Sequence, residues 1–64
     1  MKTKLTITWK YDGEIETHTH TYRDVNAESI RLNNGYLWFN SETDINGWLW
    51  RLDQIVSMMQ EVEN

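Results

Sequence analysis

The chain has 64 residues, a formal net charge of −4 at pH 7 and no cysteine. This length suits one domain, residues 1–64, and so short a chain buries only about 60% of the surface that it exposes when unfolded. Without cysteine it has no disulfide and no thiolate metal site, and it has no apolar run of about 18 residues to span a bilayer. The folded state must therefore be stabilised by aromatic packing, self-association or a non-thiolate metal.

The charge is unevenly distributed along the chain. Residues 1–23 carry a net charge of +1 and residues 24–64 a net charge of −5. The acidic part argues against nucleic-acid binding, which needs several Lys or Arg on phosphates, but it permits a basic protein partner. The N-terminal residues lack the pattern of a secretory signal, so a cytoplasmic location without membrane contact is expected.

The first predicted element is a β-hairpin. The dipeptide Asp12-Gly13 separates residues 3–10 from residues 14–22, and both runs are rich in β-forming residues. A two-residue turn would mix charged side chains into the apolar face. A three-residue loop sets Trp9 opposite Ile15 and separates apolar from polar residues, so we expect this second register.

One possible metal site lies on the second strand of this hairpin. Glu16, His18 and His20 occupy alternate positions and would share the outer face of the sheet. Imidazole and carboxylate groups can bind zinc, but the sequence offers no third His and no Cys to complete the shell. We therefore expect a polar sheet face, with no bound metal and no cofactor.

A second hairpin follows at Asn34-Gly35. A two-residue turn joins residues 29–33 to residues 36–40 and pairs Leu32 with Leu37 on a core face. The same register places Arg31 and Trp38 opposite each other on the outer face.

The C-terminal segment, residues 44–63, is predicted to form an amphipathic helix. Its apolar residues recur at steps of three and four: Ile45, Trp48, Leu49, Leu52, Ile55, Val56, Met59 and Val62. Ser41 and Asp44 approximate a capping box at its start. The fold class expected is α+β, a four-stranded antiparallel meander of two hairpins with one C-terminal helix packed on one face (ββββα).

Two groups of residues remain outside the core of this fold. Trp50 lies opposite the apolar stripe of the helix, with Met58 on its flank. The uncovered sheet face carries Tyr22, Arg31, Tyr36 and Trp38. Exposed aromatic residues and Met are typical of interface centres, so both groups are predicted contact surfaces for a homo-oligomer, most simply a dimer, or for another protein.

The function expected from these features is binding without catalysis. No nucleophile elbow, phosphate-binding loop or metalloprotease motif is present, so no catalytic residue is predicted. In size, acidity and lack of motifs the chain is similar to small accessory proteins of phages, many of which inhibit a host protein by binding it. The alternative is a small-ligand or nucleotide binder with an aromatic pocket formed between subunits.

Overall fold

The computed structural model describes residues 1–63, which form two three-stranded antiparallel sheets. The six strands are β1 (Lys2–Trp9), β2 (His18–Asn26), β3 (Arg31–Asn33), β4 (Tyr36–Phe39), β5 (Trp48–Arg51) and β6 (Ile55–Val62). The first sheet has the order β2-β1-β6 and the second the order β3-β4-β5. Short 3-10 turns at Ala27–Ser29 and Leu52–Gln54 are the helical segments of the described chain.

The predicted C-terminal helix is wrong, and with it the α+β class and the ββββα order. Residues 44–63 contain β5 and β6 instead, so the described residues have an all-β fold. A segment with apolar residues at steps of three and four can also form β-strands. As a strand, Trp48-Leu49-Trp50-Arg51 turns both Trp side chains to one side, opposite Phe39 and Leu37 of β4. Pairing of this segment with β4 and β1 favours the strand period of two residues over the helix period of 3.6.

The predicted capping box is present as a set of contacts but begins no helix. The Asp44 amide donates to Ser41 Oγ at 3.1 Å, as a cap requires. The backbone amides of these two residues also donate to each other's carbonyl oxygens, at 3.2 and 3.3 Å. This reciprocal pair closes a tight turn, and the chain then returns as β5.

The preferred register of the first hairpin is also wrong. Trp9 pairs with His18 and Ile7 pairs with His20, so residues 10–17 form a long loop. Ile15, the expected partner of Trp9, is 96% exposed. The observed register places the two imidazoles on the apolar side of the sheet, where aromatic neighbours cover part of them.

The second hairpin is confirmed. Leu32 pairs with Leu37 and Arg31 with Trp38. Asn34 and Gly35 both have positive φ, +51° and +80°, as a two-residue hairpin turn of type I′ requires.

The core lies between the central strands of the two sheets. Its five fully buried apolar residues are Leu5, Ile7, Val25, Leu37 and Phe39. An antiparallel bridge between Val25 and Ser41 joins the end of β2 to the segment after β4. The sheets therefore face each other across this core.

Candidate functional site

Trp50 lies on the inner side of the second sheet, in contact with the core. Its indole Nε1 donates to the Tyr22 hydroxyl at 3.2 Å, and its ring centroid is 5.5 Å from that of Trp9. Trp48 also packs against Tyr22, with ring centroids 4.9 Å apart. We call Trp9, Tyr22, Trp48 and Trp50, together with Phe39, the aromatic cluster. Trp50 and Tyr22, which were both predicted to lie on exposed contact surfaces, are here half-buried and pack against the core.

Tyr22 has a structural role in this cluster. Burial raises the pKa of its hydroxyl above the ordinary value, and the hydrogen bond from Trp50 only partly opposes that rise. A neutral phenol that accepts an indole N–H joins β2 to β5 through polar as well as apolar contact.

The residues of the possible metal site do not meet. His18 stacks against Trp9, with ring centroids 4.6 Å apart, and His20 packs against Tyr22 at 4.4 Å. Glu16 lies in the loop before β2 and is exposed. Within residues 1–63, no group of three His, Asp or Glu side chains is arranged to hold a metal ion.

The outer side of the second sheet collects the remaining predicted contact residues on one surface. Because Leu37 and Phe39 point inward, the alternate positions of each strand point outward. We define the outer face as Arg31, Asn33, Tyr36, Trp38, Leu49 and Arg51.

Sequence reasoning missed three members of the outer face: Asn33 on β3, and Leu49 and Arg51 on β5. Arg51 pairs with Tyr36, and Leu49 pairs with Trp38, as cross-strand neighbours on β5. The helix prediction had placed Leu49 in the core, yet it is 64% exposed. The alternation of aromatic and other residues in 48–51 was the signal that could have found the two β5 members.

Trp38 is held in place by a glycine beneath it. Gly47 has φ +84°, and a Cβ at this position would lie 2.8 Å from Trp38 Nε1 and 2.6 Å from the Phe39 carbonyl oxygen. Only glycine permits both the backbone conformation and this close approach. The indole is thereby kept half-buried at the centre of the outer face.

The outer face holds two arginines, Arg31 and Arg51, and no acidic residue, in a chain of net charge −4. Arg31 donates to the carbonyl oxygens of Glu28 and Ile30 at 2.7 and 3.0 Å, which fixes its guanidinium at the β3 edge. Arg51 contacts Asp53 at 2.8 Å, and both side chains are more than half exposed. An exposed pair of this kind contributes only about 0–1 kcal/mol, so Arg51 can exchange Asp53 for another carboxylate.

Met58 lies apart from this surface. It belongs to β6, where it pairs with Ile7 of β1, and it is 42% exposed. Its predicted position beside Trp50 depended on the helix and is wrong.

A groove of about 450 Å³ lies between the first hairpin loop and the turn after β5. Its lining is largely charged: Lys10, Tyr11, Asp12, Gly13, Glu14, Arg51, Asp53 and Gln54. Small-ligand pockets are mostly apolar with a few polar groups, so this groove adds no support to the small-ligand alternative.

No helix within residues 1–63 is both long enough and apolar enough to cross a membrane. Comparisons of the chain with protein-family models, with curated proteins and with solved structures found no significant match.

Proposed function

We propose that this chain is a protein-binding domain without enzymatic chemistry and that the outer face is its contact surface. The observation that supports this most directly is the exposure of Tyr36 and Leu49, at 42% and 64%, on either side of the half-buried Trp38. Aromatic residues and Arg are enriched at the centres of protein interfaces. We also propose a cytoplasmic location, which a cysteine-free composition favours; recovery of a tagged chain outside the cytoplasm would contradict it.

The charge of the outer face selects the class of partner. Arg31 and Arg51 lie at its two edges, so the partner is expected to present carboxylates around an apolar centre. Two arginines are too few for nucleic acid, where several phosphates are neutralised at once. Partner binding should therefore weaken as the salt concentration rises, because exposed charges are screened.

The proposal can be tested by photo-cross-linking in cells that produce the chain. A photoreactive phenylalanine derivative replaces Tyr36 on the outer face, and the control carries it at Thr21, an exposed residue on the outer side of the first sheet. We expect a discrete cross-linked protein with the first variant and none with the second. Equal cross-linking from both positions would contradict a specific surface, and a cross-link between two copies of the chain would contradict a distinct partner.

A charge reversal adds a matched control to this experiment. Arg51→Glu in the Tyr36-labelled chain should abolish the cross-link, because it sets a carboxylate against those of the partner. Arg23→Glu changes the charge equally at an exposed position on the first sheet and should leave the cross-link intact. A cross-link that survives Arg51→Glu would remove Arg51 from the contact surface and count against the acidic partner.

A further inference from the structure

The outer edge of β6 is a long unpaired strand edge. β6 has eight residues and only β1 beside it in the sheet, so the backbone groups on its other side face outward. Free edges of this kind accept another strand unless they are blocked. Among the strands described, β6 thus offers an extended template for pairing.

Of the other edge strands of the described chain, β3 and β5 are short, and β2 is obstructed at one end and carries the charged residues Arg23 and Asp24. β3 has three residues, and Arg31 occupies the carbonyl oxygens of Glu28 and Ile30 beside it. The end of β2 is engaged by the Val25–Ser41 bridge and by the Asn26 amide, which donates to the Asn40 carbonyl at 3.0 Å. β5 has four residues.

β6 is irregular at one end, where Val56 has no partner between the Thr8–Ser57 and Trp9–Ile55 pairs, and its regular part from Ser57 to Val62 lacks the residues that usually protect an edge. Its sequence, Ile-Val-Ser-Met-Met-Gln-Glu-Val, contains no Pro, Gly, Lys or Arg and a single charge, Glu61. Its exposed apolar residues are Val56 at 53%, Met58 at 42%, Met59 at 56% and Val62 at 61%. Long edges rich in apolar residues are predicted association sites.

The hydrogen bonds to β1 identify the backbone groups that point outward. The Glu63 amide donates to the Lys2 carbonyl oxygen at 3.2 Å, so the backbone N–H and C=O groups of Glu63 point toward β1. In an antiparallel pair the direction alternates, so Met58, Gln60 and Val62 present their N–H and C=O groups at the free edge.

We propose that β6 pairs with β6 of a second copy of this chain, antiparallel, about a two-fold axis beside Met59. A two-fold axis normal to the sheet sets Met59 opposite Met59 of the other copy. Met58 then exchanges two backbone hydrogen bonds with Gln60 of the other copy. The two three-stranded sheets join into one continuous sheet across the dimer.

The chemistry of β6 favours a second copy as the occupant because the strand is complementary to itself in this register. Within the regular part of β6, Glu61 of each copy lies opposite Ser57, so no like charges meet directly. The two methionines fill the centre, where flexible apolar side chains pack well. Pairing of a single strand covers less area than a standard interface, so a dissociation constant in the micromolar range or weaker is expected.

The dimer has a salt dependence that separates it from partner binding by the outer face. Two chains of net charge −4 repel each other, and salt screens that repulsion. Self-association should therefore strengthen with salt concentration, whereas partner binding should weaken. The proposed dimer does not depend on partner binding by the outer face, so an experiment that contradicts one proposal does not contradict the other.

The test uses Met59, because the two-fold axis brings this residue against its own copy. Sedimentation equilibrium of the parent chain at up to about 500 µM should show dimer. Met59→Glu and Met59→Lys should each weaken dimerisation at least about tenfold, since like charges then face each other. An equimolar mixture of the two variants should form a dimer at least as tight as the parent's, because opposite charges meet.

Circular dichroism of each variant establishes that the subunit is folded, and Ile15→Glu serves as the control at a 96% exposed loop position. Ile15→Glu should leave dimerisation within about twofold of the parent, because a single exposed loop substitution lies outside the strand edge. A monomeric parent would overturn the proposal. So would single Met59 variants that dimerise like the parent, or a mixture of the two that stays monomeric.

Discussion

Two leucines in neighbouring strands give a direct test of the two-sheet core. Leu37 on β4 is fully buried, whereas Leu49 on β5 is 64% exposed. A helical C-terminal segment would bury both. In the two-sheet fold, Leu37→Ala should cost about 2–5 kcal/mol of unfolding free energy, from lost transfer energy and the cavity left behind. Leu49→Ala removes a side chain of which only about a third is covered, so its cost should stay below about 1 kcal/mol.

The size of the domain determines how these costs are measured. At about 0.05–0.15 kcal/mol per residue, the whole domain is stable by only about 3–10 kcal/mol. Leu37→Ala could therefore leave little folded protein. Ile7→Val, at a second fully buried position, should cost about 0.5–1.5 kcal/mol and keeps the comparison measurable.

Urea melts followed by tryptophan fluorescence provide the assay, with unchanged slopes as the check on two-state unfolding. The two-sheet reasoning requires Leu37→Ala to cost more than Leu49→Ala by at least about 1 kcal/mol. Equal costs of 2 kcal/mol or more, as a helix stripe would give (about the range for a buried Leu), would refute it.

Two further predictions concern Gly47 and Tyr22. Gly47→Ala should destabilise the fold by more than about 1 kcal/mol in the same urea assay. The added Cβ would lie 2.6 Å from the Phe39 carbonyl oxygen, and residue 47 would have to keep a φ of +84°. A neutral result would mean that Trp38 and Phe39 do not pack tightly against this glycine. The folded-state pKa of Tyr22 is raised, so the unfolded chain ionises first, and the contribution of the neutral phenol is complete below pH of about 10 and lost above it. Tyr22→Phe should flatten the decline of stability above about pH 10, and the effect should be modest because the side chain is only half-buried; identical pH profiles would assign the alkaline loss to other groups.

The two Gly turns show what a local pattern can and cannot predict. Asn34-Gly35 determined its hairpin, because both residues adopt the positive φ that a type I′ turn needs. At Asp12-Gly13 only Gly13 does, with φ +83°, and a local turn closes between Tyr11 and Glu14 instead. Pairing with β1 begins only at His18, four residues after Glu14, in a register fixed by the contact of His18 with Trp9, nine residues earlier in the sequence.

The C-terminal segment could not be assigned from its own residues. One helix stripe accommodates the apolar residues at 48, 49, 52, 55, 56, 59 and 62. The strands that form instead leave some of these side chains exposed to solvent. Leu49 and Met59 are exposed on the two sheets, at 64% and 56%. The deciding information is that β1 and β4 each need another neighbour, which only tertiary structure contains. Sequence reasoning therefore found Arg31, Tyr36 and Trp38 of the outer face but missed its β5 members.

The positions of the two proposed surfaces determine how they would act together. The outer face belongs to the second sheet, and the β6 edge belongs to the first, so pairing through β6 leaves Tyr36, Trp38 and Leu49 uncovered. A dimer would present two copies of the outer face, related by the two-fold axis. Against a partner that is itself repeated or dimeric, the second contact becomes intramolecular and raises the apparent affinity without any new contact. Met59→Glu should then weaken binding to such a partner while leaving the affinity of one outer face for a single partner molecule unchanged, and a loss of both would contradict the independence of the two surfaces.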